Sequence, residues 1–162
     1  MNLREITAEL NSLFINYKST FGEPDFEPPT YAASIPAEGI TVNRRLILLN
    51  TKIAHPLFTK SALIEKAKLQ LVYFHELSHC LPKLQSNYEE EWRADFRAVS
   101  MLRQNPETHD LVWEMIAQQA KKTRSFISRI NKHEPSEHTI DELRQNLEIL
   151  TRLVAEMKSG LL

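Results

Sequence analysis

Hydrophobic side chains recur at spacings of three and four residues along most of the chain, which is the period of an amphipathic helix. The first stripe runs from Leu3 to Tyr17, where Asn2 can cap a helix and Glu5 can complete the capping box. Further stripes cover residues 61–81, 88–103, 109–130 and 136–157. The pattern therefore predicts five helices joined by short connections.

Two short apolar runs between the first two stripes have a different character. Ile40 to Val42 and Arg45 to Leu49 read as strands bounded by Gly39 and Asn50. The proline-containing segment from Gly22 to Pro36 should be extended and irregular. We therefore expect an α+β fold, mainly α, in one domain over 1–162: an N-terminal helix at 1–20, an irregular segment and small sheet at 21–60, a helical hairpin at 61–105 and C-terminal helices at 106–162.

The last stripe forms a narrow apolar seam on its helix. Such a seam packs on the body of its own domain or mediates dimerisation or partner binding, and the pattern leaves both open. Its members alternate steps of three and four: Ile140, Leu143, Leu147, Leu150, Val154 and Met157.

The segment His75-Glu76-Leu77-Ser78-His79 lies at the end of the second stripe. Residues four apart on a helix differ by about 40° around the axis and about 6 Å along it, so both imidazoles can face one ion. Glu76 is rotated by about 100° from His75, which suits a general base beside a water molecule on that ion. Zinc lowers the pKa of its bound water to about 7, so hydrolysis of an amide is expected. The alternative is a pair of histidines that face solvent or satisfy hydrogen bonds in the core.

The third stripe supplies further candidate groups. Only residues 82–86 separate it from the motif, so the two helices should form an antiparallel hairpin, with Asn87 as the cap of the second. Glu91 can then face the metal as a third ligand, with Glu89 and Glu90 as fallbacks, although all three also suit an acidic first turn. Asp95, four residues on, can accept a hydrogen bond from a metal-binding histidine or form a surface ion pair with a nearby arginine.

These residues resemble the gluzincin metallopeptidases, whose third zinc ligand is the glutamate of a Glu-x-x-x-Asp element, here Glu91 to Asp95. The segment is similar to the ImmA/IrrE-type peptidases and to the HtpX-like and CAAX-processing zinc peptidases, although the membrane helices of the HtpX-like group are absent. The resemblance implies a zincin-like domain with a small sheet packed on the motif helix. It also implies that Asp95 bonds to His75. The resemblance further implies that Leu46 to Asn50 pair with extended substrate, whereas the apolar pattern of this strand fits a core strand equally well.

The same resemblance extends to an oxyanion-stabilising group. His133-Glu134-Pro135 is similar to a His-Pro element near the C-terminus of the HtpX-like group, which implies a catalytic role for His133. Glu134 separates the histidine from the proline here. A loop histidine before a helix cap is the alternative interpretation, and the other candidate donors are Tyr88, His138 and Tyr73.

Composition and charge bear on the binding partners and the cellular compartment of the protein. A net charge of −1 over 162 residues gives no sign of nucleic-acid binding. No apolar run approaches the length of a membrane span, and residues 1–17 lack the features of a signal peptide, so a soluble cytoplasmic protein is expected. The single cysteine, Cys80, suits a reducing compartment and is expected to be a buried free thiol rather than a ligand.

The sequence therefore predicts a zinc-dependent metallopeptidase in which His75, His79 and Glu91 bind Zn²⁺, Asp95 supports them and Glu76 is the base. Its substrate would be a protein or peptide. Two alternatives stay open: a regulatory or binding protein that kept the fold without cleaving, and a zinc hydrolase of a non-protein amide.

Overall fold

A computed structural model describes residues 3–54, 63–130, 137–160 and 162. This part of the chain is mainly helical with one small sheet, which confirms the α+β, mainly-α prediction. The helices are α1 Leu3–Phe21, α2 Leu63–Ser78, α3 Asn87–Gln104, α4 His109–Ile130 and α5 Glu137–Lys158, and the strands are β1 Thr30–Ala33, β2 Gly39–Val42 and β3 Leu46–Asn50. None of the helices described is both long and apolar enough to cross a membrane.

The three strands form one sheet in the order β1-β3-β2. β1 pairs parallel with β3, with Thr30 opposite Ile47, and β2 pairs antiparallel, with Gly39 opposite Leu49. Ile47 and Leu49 are buried, and α2 packs against β2 and β3. The small sheet therefore lies on the motif helix, as the resemblance implies.

β3 lies at the centre of the sheet, so both of its edges are already paired. The role of Leu46 to Asn50 as a substrate-pairing edge is therefore wrong, and the core-strand interpretation holds. The expectation of irregular structure from Gly22 to Pro36 is wrong at β1, whose β-branched Thr30 and aromatic Tyr31 favour a strand. The preceding Pro28 and Pro29 are compatible with a strand at the edge of a sheet.

The end of α2 and the start of α3 differ from the prediction. α2 ends at Ser78, and His79 lies in a tight turn whose amides bond three residues back, from His79 to Glu76 and from Leu81 to Ser78. Ser86, not Asn87, caps α3, since its side-chain oxygen accepts a bond from the Glu89 amide at 3.1 Å. Expecting the helix to reach Leu81 and Asn87 to cap the next one was therefore wrong.

The chain divides into two compact units, Met1–Leu102 and Arg103–Leu162. The first contains the sheet and the motif helix. In the second, α4 and α5 pack against each other. Among the residues of α5 whose side chains are described, Ile149, Leu150, Leu153 and Met157 are buried. The buried stripe therefore differs from the predicted seam, whose members Ile140, Leu143, Leu147 and Val154 are partly exposed.

Candidate metal centre

The two motif histidines approach each other at the end of α2. Their Nε2 atoms lie 3.1 Å apart, and each side chain keeps about a fifth of its surface exposed, 22% for His75 and 21% for His79. The helix brings His75 to its last turn, and the tight turn that follows keeps His79 on the same side. The pair therefore lies at a half-buried surface that is open to water.

Glu91 reaches this pair from the second turn of α3. Its Oε1 lies 3.1 Å from Nε2 of His79, and its Oε2 lies 3.4 Å from Nε2 of His75. The short connection after α2 makes this approach possible, because only residues 79–86 separate the two helices. The three side chains form a candidate metal site whose ligand atoms all lie within 4.8 Å of one another.

The spacing of these atoms can be tested against zinc geometry. Ligand atoms about 2.0–2.1 Å from a tetrahedral zinc ion lie about 3.3–3.4 Å from one another. The two imidazole nitrogens lie 3.1 Å apart, and each lies 3.1 or 3.4 Å from its own oxygen of Glu91, which is close to that spacing for each pair. Two imidazoles and one carboxylate are also ligands that zinc accepts. The residues present therefore fit a zinc ion.

Asp95 lies one turn beyond Glu91 and contacts the other nitrogen of His75. Its Oδ1 is 2.6 Å from Nδ1 of His75. A carboxylate there holds a proton on Nδ1, so Nε2, which lies near His79 and Glu91, is the nitrogen that would give up its proton to bind a metal. The competing partners of Asp95 are engaged elsewhere, since Arg93 donates to the Pro82 carbonyl and Arg97 lies over the Phe21 ring.

Neighbouring charges shift the pKa of two groups at the site, His75 and Glu91. Burial alone would lower the pKa of His75, but Asp95, with help from Glu91 and Glu76, raises that pKa well above its usual value. Burial alone would raise the pKa of Glu91, but hydrogen bonds from His75 and His79 lower it well below its usual value. Glu91 is therefore an anion at neutral pH, as a metal ligand must be.

Glu76 points toward the sheet. Its side chain is buried, and Oε2 accepts a hydrogen bond from Thr41 on β2 at 2.5 Å. The same hydroxyl lies 3.0 Å from the Glu76 carbonyl. β2 comes this close because Gly39 has no side chain, since an added Cβ would lie 2.9 Å from Val72 and 3.0 Å from Cγ of Glu76.

The fallback ligands are not part of the site. Glu90 is buried, and its carboxylate accepts a hydrogen bond from Arg44 at 2.7 Å. Burial alone would raise the pKa of Glu90, but Arg44 and a bond to the Leu84 backbone hold that pKa below its usual value. Glu89 is exposed and lies outside the candidate site. Cys80 is a buried free cysteine, as predicted, with its thiol 3.8 Å from the Glu76 carbonyl.

The candidate oxyanion donors are less well placed. His133 lies outside the described residues, as does the side chain of His138. Tyr73 is fully buried beside Thr30 and Cys80, so its hydroxyl cannot meet a substrate without rearrangement. Tyr88 is half-buried on the first turn of α3.

Three contacts at the site could not be read from local sequence. Thr41 and Arg44 meet the motif from 35 residues away, and Tyr17 on α1 bonds through its hydroxyl to Ser78 at 2.6 Å. All three are long-range, and a lone threonine, arginine or tyrosine in an unremarkable context gives no sign of its partner.

No protein-family model, curated protein or solved structure matches the chain. The functional argument therefore rests on the geometry of the site.

Proposed function

We propose that the protein is a zinc-dependent metallopeptidase with a zincin-like domain of the gluzincin kind. The observation that carries the proposal is the convergence of His75, His79 and Glu91, with Asp95 on the far nitrogen of His75. Two helical histidines with no metal to bind would not need the Glu91 carboxylate, from another helix, at 3.1 and 3.4 Å from their rings. They would also not need the Asp95 carboxylate on the far nitrogen of one ring.

In this proposal His75, His79 and Glu91 hold the metal and Asp95 fixes the tautomer of His75. A bound zinc ion would polarise a carbonyl oxygen and lower the pKa of a water molecule to about 7. Glu76 would accept the proton of that water as it attacks the peptide carbonyl. Thr41 donates a hydrogen bond to Oε2 of Glu76, which restricts the position of the side chain.

The sheet supports a protein or peptide as the substrate. β2 is an edge strand next to the motif helix, and among the described residues its outer edge has no strand partner. Extended peptides commonly add to such an edge through main-chain hydrogen bonds. We therefore assign the pairing role to Gly39–Val42.

The test compares metal content and cleavage in matched variants. Purified protein should contain about one zinc ion per chain and should cleave a denatured protein pool, with activity lost on chelation and restored by Zn²⁺. Glu76→Gln should retain zinc but lose several orders of magnitude in turnover, because the base is gone while the ligands remain. His79→Ala should lose zinc affinity as well. Equal cleavage by wild type and Glu76→Gln would end the peptidase proposal.

One observation favours a second candidate, a zinc-holding regulatory or binding protein. Glu76 is buried and hydrogen-bonded to Thr41, which is also how a purely structural carboxylate would be held. This candidate predicts stoichiometric zinc in the wild type and no cleavage of the denatured pool at any zinc concentration.

A further inference from the structure

Arg44 occupies an unfavourable backbone conformation in the turn between β2 and β3. Asn43 and Arg44 have φ values of 50° and 59°, and the Arg45 amide closes the turn on the Val42 carbonyl at 3.0 Å. Asparagine tolerates this left-handed region, but glycine is the usual second residue of such a turn. An arginine held there by its surroundings points to a role for its side chain.

The Arg44 side chain bonds both to the segment that follows α2 and to α3. Nη1 donates to the carbonyls of His79 at 3.2 Å and Leu81 at 3.1 Å. Nη2 donates to Oε1 of Glu90 at 2.7 Å, where the Glu90 side chain is only 10% exposed. The planar guanidinium can make these bonds together because its donors diverge in fixed directions.

The residues that Arg44 contacts are directly connected to metal ligands. One accepting carbonyl belongs to His79 itself, and Glu90 immediately precedes Glu91 along α3. The chain between the two helices, residues 79–86, includes no regular secondary structure. The contacts of His75 with Glu91 and Asp95 are made at the site itself, whereas Arg44 bonds beside it. A cation bonded to the segment after α2 and to α3 limits the distance between the two.

We propose that Arg44 is a positioning residue for the metal site, which holds His79 and Glu91 at the separation that zinc requires by bonding to the His79 carbonyl and to Glu90. The inference rests on the metal site of the proposed function. It does not require that the protein cleaves peptides, so it can be tested without a known substrate.

The experiment measures the dissociation constant for Zn²⁺ by competition with a chromophoric chelator, on full-length variants shown to be folded by circular dichroism. Arg44→Gly removes the side chain and installs the residue that the turn favours, so a loss of zinc affinity cannot result from strain in the turn. We expect about 10-fold weaker binding, the lower end of the range for residues that orient metal ligands. Glu90→Ala should weaken binding to a similar extent, and the double variant should lose no more than either single variant, because both remove the same connection.

Lys68→Ala is the matched control. Lys68 also links α2 to the segment before β2, through an exposed ion pair with Glu38 at 3.0 Å, but it contacts no ligand residue. Its zinc affinity should equal that of the wild type. Arg44→Lys keeps the charge without the planar fork and should be intermediate, and it serves as the second variant if Arg44→Gly does not fold.

The possible results separate the two proposals. The positioning role is overturned, and the metal site left intact, if the wild type binds zinc tightly and folded Arg44→Gly binds it equally well. If the glycine variant does not fold, unchanged affinity in Arg44→Lys and Glu90→Ala overturns the role in the same way. Additive losses in the double variant also overturn it, because the two residues would then act separately. No zinc binding by the wild type overturns both proposals. A changed absorption spectrum of bound Co²⁺ in Arg44→Gly would support a shift in ligand geometry, which a role in stability alone does not predict.

Discussion

At the scale of single residues, Asp95 determines which nitrogen of His75 is available to a metal. Asp95→Ala should weaken zinc binding by about 10- to 100-fold while the three ligands remain, because the carboxylate that orients the ring is lost. A zinc titration of the folded variant measures the effect. Unchanged affinity would mean that the 2.6 Å contact with His75 does not tune the site.

A second aspartate provides the control for this experiment. Asp110 also contacts a histidine, with Oδ1 3.0 Å from Nδ1 of His109, but it is fully exposed and belongs to the unit Arg103–Leu162, which contains none of the candidate ligands. Asp110→Ala removes an equivalent pair and should leave zinc affinity unchanged.

Cys80 shows how the environment of the site controls reactivity. Burial, together with the nearby Glu76, raises the pKa of its thiol to about 12, although Arg44 opposes the shift. The thiolate is the reactive form, and at pH 8 a pKa near 12 leaves about one thiol in ten thousand ionised. Alkylation by iodoacetamide at pH 8 should therefore be much slower in the native protein than in denaturant. Equal rates in the two states would show that the thiol is accessible and ionised in the folded protein.

At the scale of elements, the contact between β2 and α2 depends on Gly39. Gly39→Ala places a Cβ 2.9 Å from Val72 and 3.0 Å from Glu76, so one element must move. Overpacking of this kind typically costs about 1–3 kcal/mol, to be measured by chemical denaturation. Adding Val72→Ala should recover part of the loss, because it removes the closest atom. If Gly39→Ala alone leaves stability unchanged, the strand is free to move away from the helix.

Local sequence predicts some of the helices and strands and misses others. The spacing of apolar residues predicts α2, α3 and α4, because each buries one face and the period of that face is written in consecutive residues. The four-residue spacing of His75 and His79 and the following Glu91 predict the candidate site for the same reason. β1 is missed because its four residues are stabilised by parallel pairing with residues of β3 that lie 17 positions later in the chain.

Boundaries and supporting contacts are the weakest part of such predictions. α2 ends at Ser78 because the amides of residues 79–81 turn back by three residues, a choice that apolar spacing does not encode. Glu90 looked like a ligand or a helix-dipole residue, and it is instead a partner of Arg44, 46 positions earlier. Both errors arise where tertiary contacts override local preference.

At the scale of the whole molecule, every proposed ligand lies in the unit Met1–Leu102. A metal that binds the folded state and not the unfolded chain stabilises the fold by mass action, by about 2.7 kcal/mol at a free concentration of 100 times the dissociation constant. For a chain of this size each kcal/mol raises Tm by about 2–4 °C, so saturating zinc should raise it by roughly 5–10 °C.

Differential scanning calorimetry with zinc and with chelator tests this expectation. His79→Ala should lose the zinc-dependent rise in Tm, and Mg²⁺ should give none in the wild type, because it prefers octahedral oxygen ligands. If the two units unfold in separate transitions, zinc should move the transition of Met1–Leu102, since that unit holds all three ligands. The same Tm in zinc and in chelator, with both units folded at the start, would contradict a site assembled by folding.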